Sequence, residues 1–465
     1  MEKNEKNSQK VSIKDKGILV ECVYDEHKRK TEFAVFDKDV SYKDKYKYDG
    51  CDIYPPNPNS DTVSKKLVLL PSKVGSYESE EALLEEIQSF IHEYVDIDPE
   101  FEKISAYYVM FTWVYDKFNE VPYLRVIGDY GSGKTRYLTT VGSLCYKPMI
   151  MAGATTTSPI FRMLDEISGT LVLDEADFAK SDLTTDIVKI LNSGYTKGFP
   201  VLRAEGKGVY DVRTFDVFGP KIIATREMFR DQALESRCLV GYMGNSAIRK
   251  DIPRTLNDNY YKKLLELRNK LLAFRFKTFK SPIDLDNNVI EDIHPRLNQI
   301  AIPLMSVIPG EDARNTIISF IKKYHQELLD NRGSSWEAEV LQAISLFEKE
   351  GISDVTVGQI TEKINFEIND SSDVDLTAKK VGWIIKSLLH LKTERRMGGY
   401  TLDIRRNKKD LDYKYLRYGI GKEEGEISEN LGNSTDESMN VMNNMNIRNS
   451  KVSENIPDTD NPFKN

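Results

Sequence analysis

The stretch YLRVIGDYGSGKTR, residues 123–136, runs from an apolar strand into a glycine-rich loop and then into residues that favour a helix. Its second half spaces Gly128, Asp129, Tyr130, Gly131, Ser132, Gly133, Lys134 and Thr135 as GxxxxGK[ST], directly behind the apolar run Tyr123–Ile127. Glycines in such a loop let successive backbone N–H groups curl around phosphate oxygens at a helix N-terminus. A lysine at the seventh position brings a cation to the β- and γ-phosphates, and the hydroxyl after it ligates a divalent metal. The stretch therefore predicts a P-loop whose ligands are ATP and Mg²⁺, with Thr135 as a metal ligand.

Working outward, GTLVLDEADF at 169–178 is a second apolar strand, ending in Asp174 and Glu175. A parallel sheet delivers the C-terminal tips of neighbouring strands to one edge, so both carboxylates are expected beside the loop. Asp174 is then placed to hold the metal shell and Glu175 to polarise an attacking water. A third strand, GPKIIAT at 219–225, ends in Thr225, a polar tip placed to sense the terminal phosphate. Five short apolar runs in all (123–127, 148–151, 170–173, 220–224 and 238–242) alternate with segments that read mostly as helix. That alternation predicts an α/β fold with a parallel sheet and crossover helices over residues 121–245.

The rest of the 465 residues is read against this core. Residues 1–16 are charged and expected to be disordered, 17–75 form a small β-rich region, and 76–120 form a helical lead-in. Residues 246–330 read as a helical lid, 331–420 as a winged-helix domain built from three helices and a hairpin near Gly398-Gly399, and 421–465 as a disordered tail poor in large apolar residues. The net charge of −8 excludes a protein coated in basic surface, so nucleic-acid contact must come from local patches. Four cysteines without a CxxC pair fit reduced thiols better than disulfides or zinc, and no structural metal is expected. With no signal-like start and no apolar run of about 18 residues, the expectation is a cytoplasmic protein without a membrane span.

Two segments carry local basic chemistry. Residues 190–218 are too long for one helix and read as a helix plus a β-hairpin with Gly206-Lys207-Gly208 at the tip and Arg203 nearby. The stretch LTAKKVGWIIKSLL at 376–389 puts Lys379, Lys380 and Lys386 outside a helix whose inner face is Val381, Ile384, Ile385 and Leu388, with Trp383 on either face. From residue 379 to 417, twelve Lys or Arg stand against four Asp or Glu, a local balance suited to a phosphate backbone.

Together, GSGKT, LVLDEAD, LNSGYTKG, FGPKIIATRE, ALESRC and the LTAKKVGWIIKSL module make residues 100–405 resemble the MCM-like AAA+ replicative helicases of mobile elements, phages and plasmids. The resemblance implies a DNA helicase or translocase that assembles as a homo-oligomeric, hexameric ring and acts on single-stranded or forked DNA. It implies that Arg237 in ALESRC reaches the ATP of a neighbouring subunit, with Arg226 and Arg230 as competing candidates for that finger. It implies that Lys207 grips phosphate in a central channel beside Arg203. In the lid, HPRLNQIAIPL opens an amphipathic helix with Arg296 near its start, the place from which a second sensor arginine reaches the γ-phosphate. The chain departs from the family in two places. Residues 152–169 hold little more than a helix where MCM proteins insert a second hairpin, and Cys-Leu-Val follows Ser236-Arg237 where the family has Phe-Asp-Leu. The other readings are an AAA+ loader or initiator ATPase and an ATP-switched winged-helix DNA-binding regulator.

Overall fold

In the computed structural model, which describes residues 8–152, 157–174, 182–204, 212–229, 231–244, 249–283, 285, 288–333, 336–368, 376–396 and 399–420, the chain divides into two units, residues 1–325 and 326–465. Glu175, Lys207 and Arg230, and the predicted tail from residue 421, lie outside the described residues.

The first unit begins with strands β1 (Ser8–Gln9), β2 (Ser12–Asp15), β3 (Ile18–Asp25), β4 (Lys30–Phe36), β5 (Val40–Lys43), β6 (Tyr46–Tyr48) and β7 (Cys51–Tyr54). Strands β2 to β5 form an antiparallel meander, and β1, β7 and β6 form a three-stranded sheet. The start predicted as disordered is therefore strand from Ser8 on. Val11 and Ile13 alternate with polar neighbours and are buried, and Ile13 pairs with Val20 across the β2–β3 ladder. A short helix α1 (Asp61–Ser64) and an extended run lead to α2 (Glu80–Tyr94) and α3 (Pro99–Thr112), capped by the Ser79 and Asp98 side chains.

The centre of this unit is a five-stranded parallel sheet. It comprises β8 (Tyr123–Gly128), followed by α4 (Lys134–Tyr137) with a π turn over Leu138–Gly142, then β9 (Met149–Ala152), α5 (Thr157–Ile167), β10 (Leu171–Asp174) and α6 (Asp182–Ser193). A hairpin of β11 (Val201–Ala204) and β12 (Val212–Phe215) comes next, then β13 (Lys221–Thr225), α7 (Gln232–Glu235) and β14 (Cys238–Met243). The five strands are those read from the apolar runs, in the order β14-β8-β13-β10-β9. Strands β8 and β13 are buried at every position, as parallel strands covered on both faces are. Helices α8 (Asp258–Phe279), α9 (Pro295–Met305) and α10 (Glu311–Gly333) follow.

The meander is tied to this core by charge. Glu21 of β3 is buried and accepts hydrogen bonds from Tyr146 Oη (2.8 Å) and Arg275 Nε of α8 (2.7 Å), with Lys147 Nζ at 3.1 Å. Arg275 also pairs with Asp116 at 2.8 Å. Burial pushes the Asp116 carboxyl up, but the Arg275 and Lys14 cations beside it outweigh burial and hold it well below the usual carboxylate range.

The second unit contains α11 (Trp336–Lys349), β15 (Asp354–Thr356), α12 (Val357–Lys363), α13 (Ala378–Trp383), the hairpin β16 (Thr393–Arg396) and β17 (Gly399–Asp403), and α14 (Lys408–Tyr418). Helices α12 and α13 each continue into a π turn, and β17 pairs with both β15 and β16. Val340, Ile344, Ile360, Val381, Ile384, Ile385, Leu402 and Leu411 close one apolar core. Leu388, read as an inner residue, is exposed, because the π turn over Ile384–Leu388 shifts the inward position to Leu389. Among the described residues no helix is long and apolar enough to cross a membrane.

Candidate functional site

The loop between β8 and α4 is built by its glycines. Gly133 has φ +95°, and a Cβ on Gly128 would lie 2.5 Å from Ser132 Oγ and 2.8 Å from the Met243 carbonyl. Only glycine allows both the left-handed turn and that close approach. Gly244, at the end of β14 with φ +88°, leaves similarly little room against Ser132; its part in shaping the loop was not read from the sequence.

Inside the loop, Lys134 is buried and its Nζ donates to the carbonyls of Gly128 (2.7 Å) and Asp129 (2.8 Å). Thr135 Oγ1 donates to Asp174 Oδ2 at 2.9 Å, joining the loop to the tip of β10. Between β8 and β10 lies β13, so Thr225 at its tip stands between the loop and Asp174. Asp129 and Tyr130 are exposed, Tyr130 by 87%. Three buried oxygens here, Ser132 Oγ, Asp174 Oδ1 and Thr225 Oγ1, have no hydrogen-bond partner. An unpaired buried polar group costs about 1–3 kcal/mol, so three gathered in the loop and on the two strand tips beside it make a place that fits a polar ligand. The donor set suits a metal-bound polyphosphate: a lysine cation, a glycine loop, and a hydroxyl already bonded to a carboxylate.

Arg237 and Arg296 lie elsewhere. The Arg237 guanidinium stacks 3.8 Å over the Tyr195 ring and donates to Asn192 Oδ1. Arg296 Nη1 donates to Ser236 Oγ at 3.0 Å. The neighbouring Thr196 hydroxyl and the cations of Arg237 and Arg296 pull the Tyr195 phenol below its ordinary value. This cluster sits just before β14, whose first residue pairs with Tyr123 and whose last pairs with Gly128. The six-residue strand separates it from the loop by about 20 Å at roughly 3.3 Å per residue. Ser236 holds Arg296 at the end of the sheet opposite its own chain's loop. Asn192, Tyr195 and Ser236 were not singled out from the sequence, because only the fold brings the end of α6 to the start of β14. Arg226 follows β13 and is exposed.

The β11–β12 hairpin is antiparallel, with Arg203 directly opposite Arg213. The Arg203 guanidinium lies 5.2 Å from the Phe161 ring of α5, and Arg213 lies 4.8 Å from Phe215. Arg203 is thus laid over α5, and α5 occupies the position where the sequence left room for one helix. In the second unit Lys379, Lys380 and Lys386 are exposed, and Lys380 Nζ lies 4.5 Å over the Trp336 ring. Among the described residues no group of three His, Cys, Asp or Glu is arranged to hold a metal ion.

No protein-family model matches the chain, and no curated protein matches it. Among solved structures, the chain is similar to the NrS-1 C-terminal region at 12% identity, covering 83% of this chain and 96% of that one with a TM-score of 0.36. It is similar to an SCCmec type IV Cch helicase at 12% identity, covering 85% and 94% with a TM-score of 0.35. The JCV helicase matches at 11% identity over 59% and 66% with a TM-score of 0.25. Likenesses this faint say nothing of function, which rests on the chain's own residues.

Proposed function

We propose that this chain is an ATP-driven motor on DNA, a helicase or translocase of the AAA+ kind that hydrolyses ATP at subunit interfaces of a ring and serves replication of a mobile element or phage. The observation that carries the reading is the set of partnerless buried oxygens on Ser132, Asp174 and Thr225 around the Lys134 loop, with Thr135 already bonded to Asp174. Lys134 leaves the Gly128 and Asp129 carbonyls to hold the β- and γ-phosphates, and the loop N–H groups cradle them. Thr135 and Asp174 hold Mg²⁺, which when bound neutralises charge on the phosphates. Glu175 orients and deprotonates the attacking water, and Thr225 donates to the terminal phosphate.

Arg237 and Arg296 act in this reading on the site of an adjacent copy, since their end of the sheet is about 20 Å from their own loop. A cation at the transferring phosphate is worth about 10³–10⁵ in rate, so a lone chain turns over slowly. Helices α8 to α10 form the lid, and the second unit serves as a winged helix. Arg203 and Lys207 of the hairpin, with Lys379, Lys380 and Lys386, contact the DNA backbone.

The test is ATP turnover by the wild type and Glu175→Gln, with and without single-stranded DNA, while unwinding of a forked duplex is followed. DNA-stimulated, Glu175-dependent hydrolysis with strand separation is the expected result. Hydrolysis indifferent to DNA, with no separation, rejects the motor in favour of a loader or a nucleotide switch.

A further inference from the structure

Trp383 is 55% exposed although it ends a helix whose inner face is already complete. Val381, Ile384, Ile385 and Leu389 fill the core of the second unit, and Lys379, Lys380, Lys386 and Ser387 share the solvent side with the indole. Nothing in the packing requires an aromatic ring there, and leaving one in water forgoes the large burial an indole offers. Lys379 precedes it by one helical turn. Lys386 follows in the π turn Ile384–Leu388, a kind of turn that recurs at functional sites. The surrounding segment, residues 379–417, carries twelve basic against four acidic residues.

An exposed aromatic face flanked by cations matches a nucleic-acid strand whose bases are unpaired: phosphates meet the lysines and a base stacks on the ring. A closed duplex offers no such face, because an inserted ring must first unstack a base step at a cost of a few kcal/mol. We propose that Trp383 is a base-stacking platform that makes the second unit a single-strand contact, with Lys379 and Lys386 holding the backbone on either side. The inference rests on the reading of this unit as a DNA surface, and it adds which form of DNA is held and by which residue.

The chain has three tryptophans, and Trp113 is buried, 1% exposed, while Trp336 lies under Lys380. Indole emission of the full chain is titrated with oligo(dT) and with a blunt duplex, and the difference from Trp383→Phe isolates the signal of Trp383 from those of Trp113 and Trp336. Quenching by oligo(dT) that is absent from Trp383→Phe is expected. Trp383→Ala is expected to weaken oligo(dT) binding about tenfold, within the ~1–3 kcal/mol range of one base stack. Trp383→Phe should recover part of that loss, and duplex binding should stay within twofold of wild type. Unchanged emission, or equal losses on both DNAs, overturns the proposal. A combined Lys379→Ala, Lys380→Ala, Lys386→Ala variant separates the layers. If it loses DNA affinity while the Trp383 variants do not, only the stacking fails; if it binds as wild type and emission never changes, the DNA reading of this unit fails as well.

Discussion

In the loop after β8 and at the C-terminal tips of β13 and β10 three buried oxygens lack partners, whereas at the other end of the same sheet buried cations lie against groups of the same chain. Arg237 has Asn192 and the Tyr195 ring, Lys147 has Glu21, and Lys221 donates to the carbonyls of Gly194 (3.2 Å), Val217 (2.9 Å) and Gly219 (2.8 Å). The C-terminal end thus gathers its partnerless oxygens around one loop, whereas the N-terminal end holds its cations on an amide, a ring, a carboxylate and carbonyls, with Thr170 Oγ1, Lys147 Nζ and Arg237 Nε there also lacking a hydrogen bond. On the proposed reading the two ends are halves of one active site that meet only when two chains adjoin.

The largest effect expected from this contrast is on turnover. Arg237→Ala should lower ATP hydrolysis by about 10³ while leaving nucleotide binding intact. Mixing it with Glu175→Gln chains should restore part of the activity, because some interfaces then join an intact loop to an intact arginine. Mixtures as inactive as their components would break the two-chain reading. Next in size, Asp174→Asn should raise the Mg²⁺ concentration needed for turnover and cut the maximal rate about 100-fold, read from a magnesium titration; an unchanged requirement would remove Asp174 from the metal site.

Two smaller effects address stability and set the ends of the sheet against each other. Asn192→Ala strands a buried guanidinium and should cost about 1–3 kcal/mol in denaturant unfolding. Thr225→Val removes a hydroxyl that has no partner, so stability should hold or rise by up to about 1 kcal/mol even as turnover falls about tenfold. If both variants lose stability equally, the contrast between the two ends does not hold.

The parts legible in the sequence are those whose signal is local. The five strands showed as short apolar runs, and the loop showed as glycines, a lysine and a hydroxyl at fixed spacing behind one of them. The neighbours of Arg237 come from the end of α6 and those of Arg296 from the start of β14, and no spacing along the chain announces such meetings. Helix α14 went unread because KKDLDYKYLRY buries little beyond Leu411. The strands from Ser8 to Asp15 were hidden by their charge, since two apolar residues, Val11 and Ile13, anchor them.

The ionic seam beneath the meander bears on how the protein can be shortened. A chain trimmed to begin at residue 76, the start of the helical lead-in read from the sequence, would delete Glu21 and leave Lys147 and Arg275 buried without the carboxylate they share. Breaking a buried pair from one side costs about 3–5 kcal/mol, a large share of a domain's margin. The small sheets at the front are therefore part of the foundation of the α/β core, and a stable fragment has to carry them.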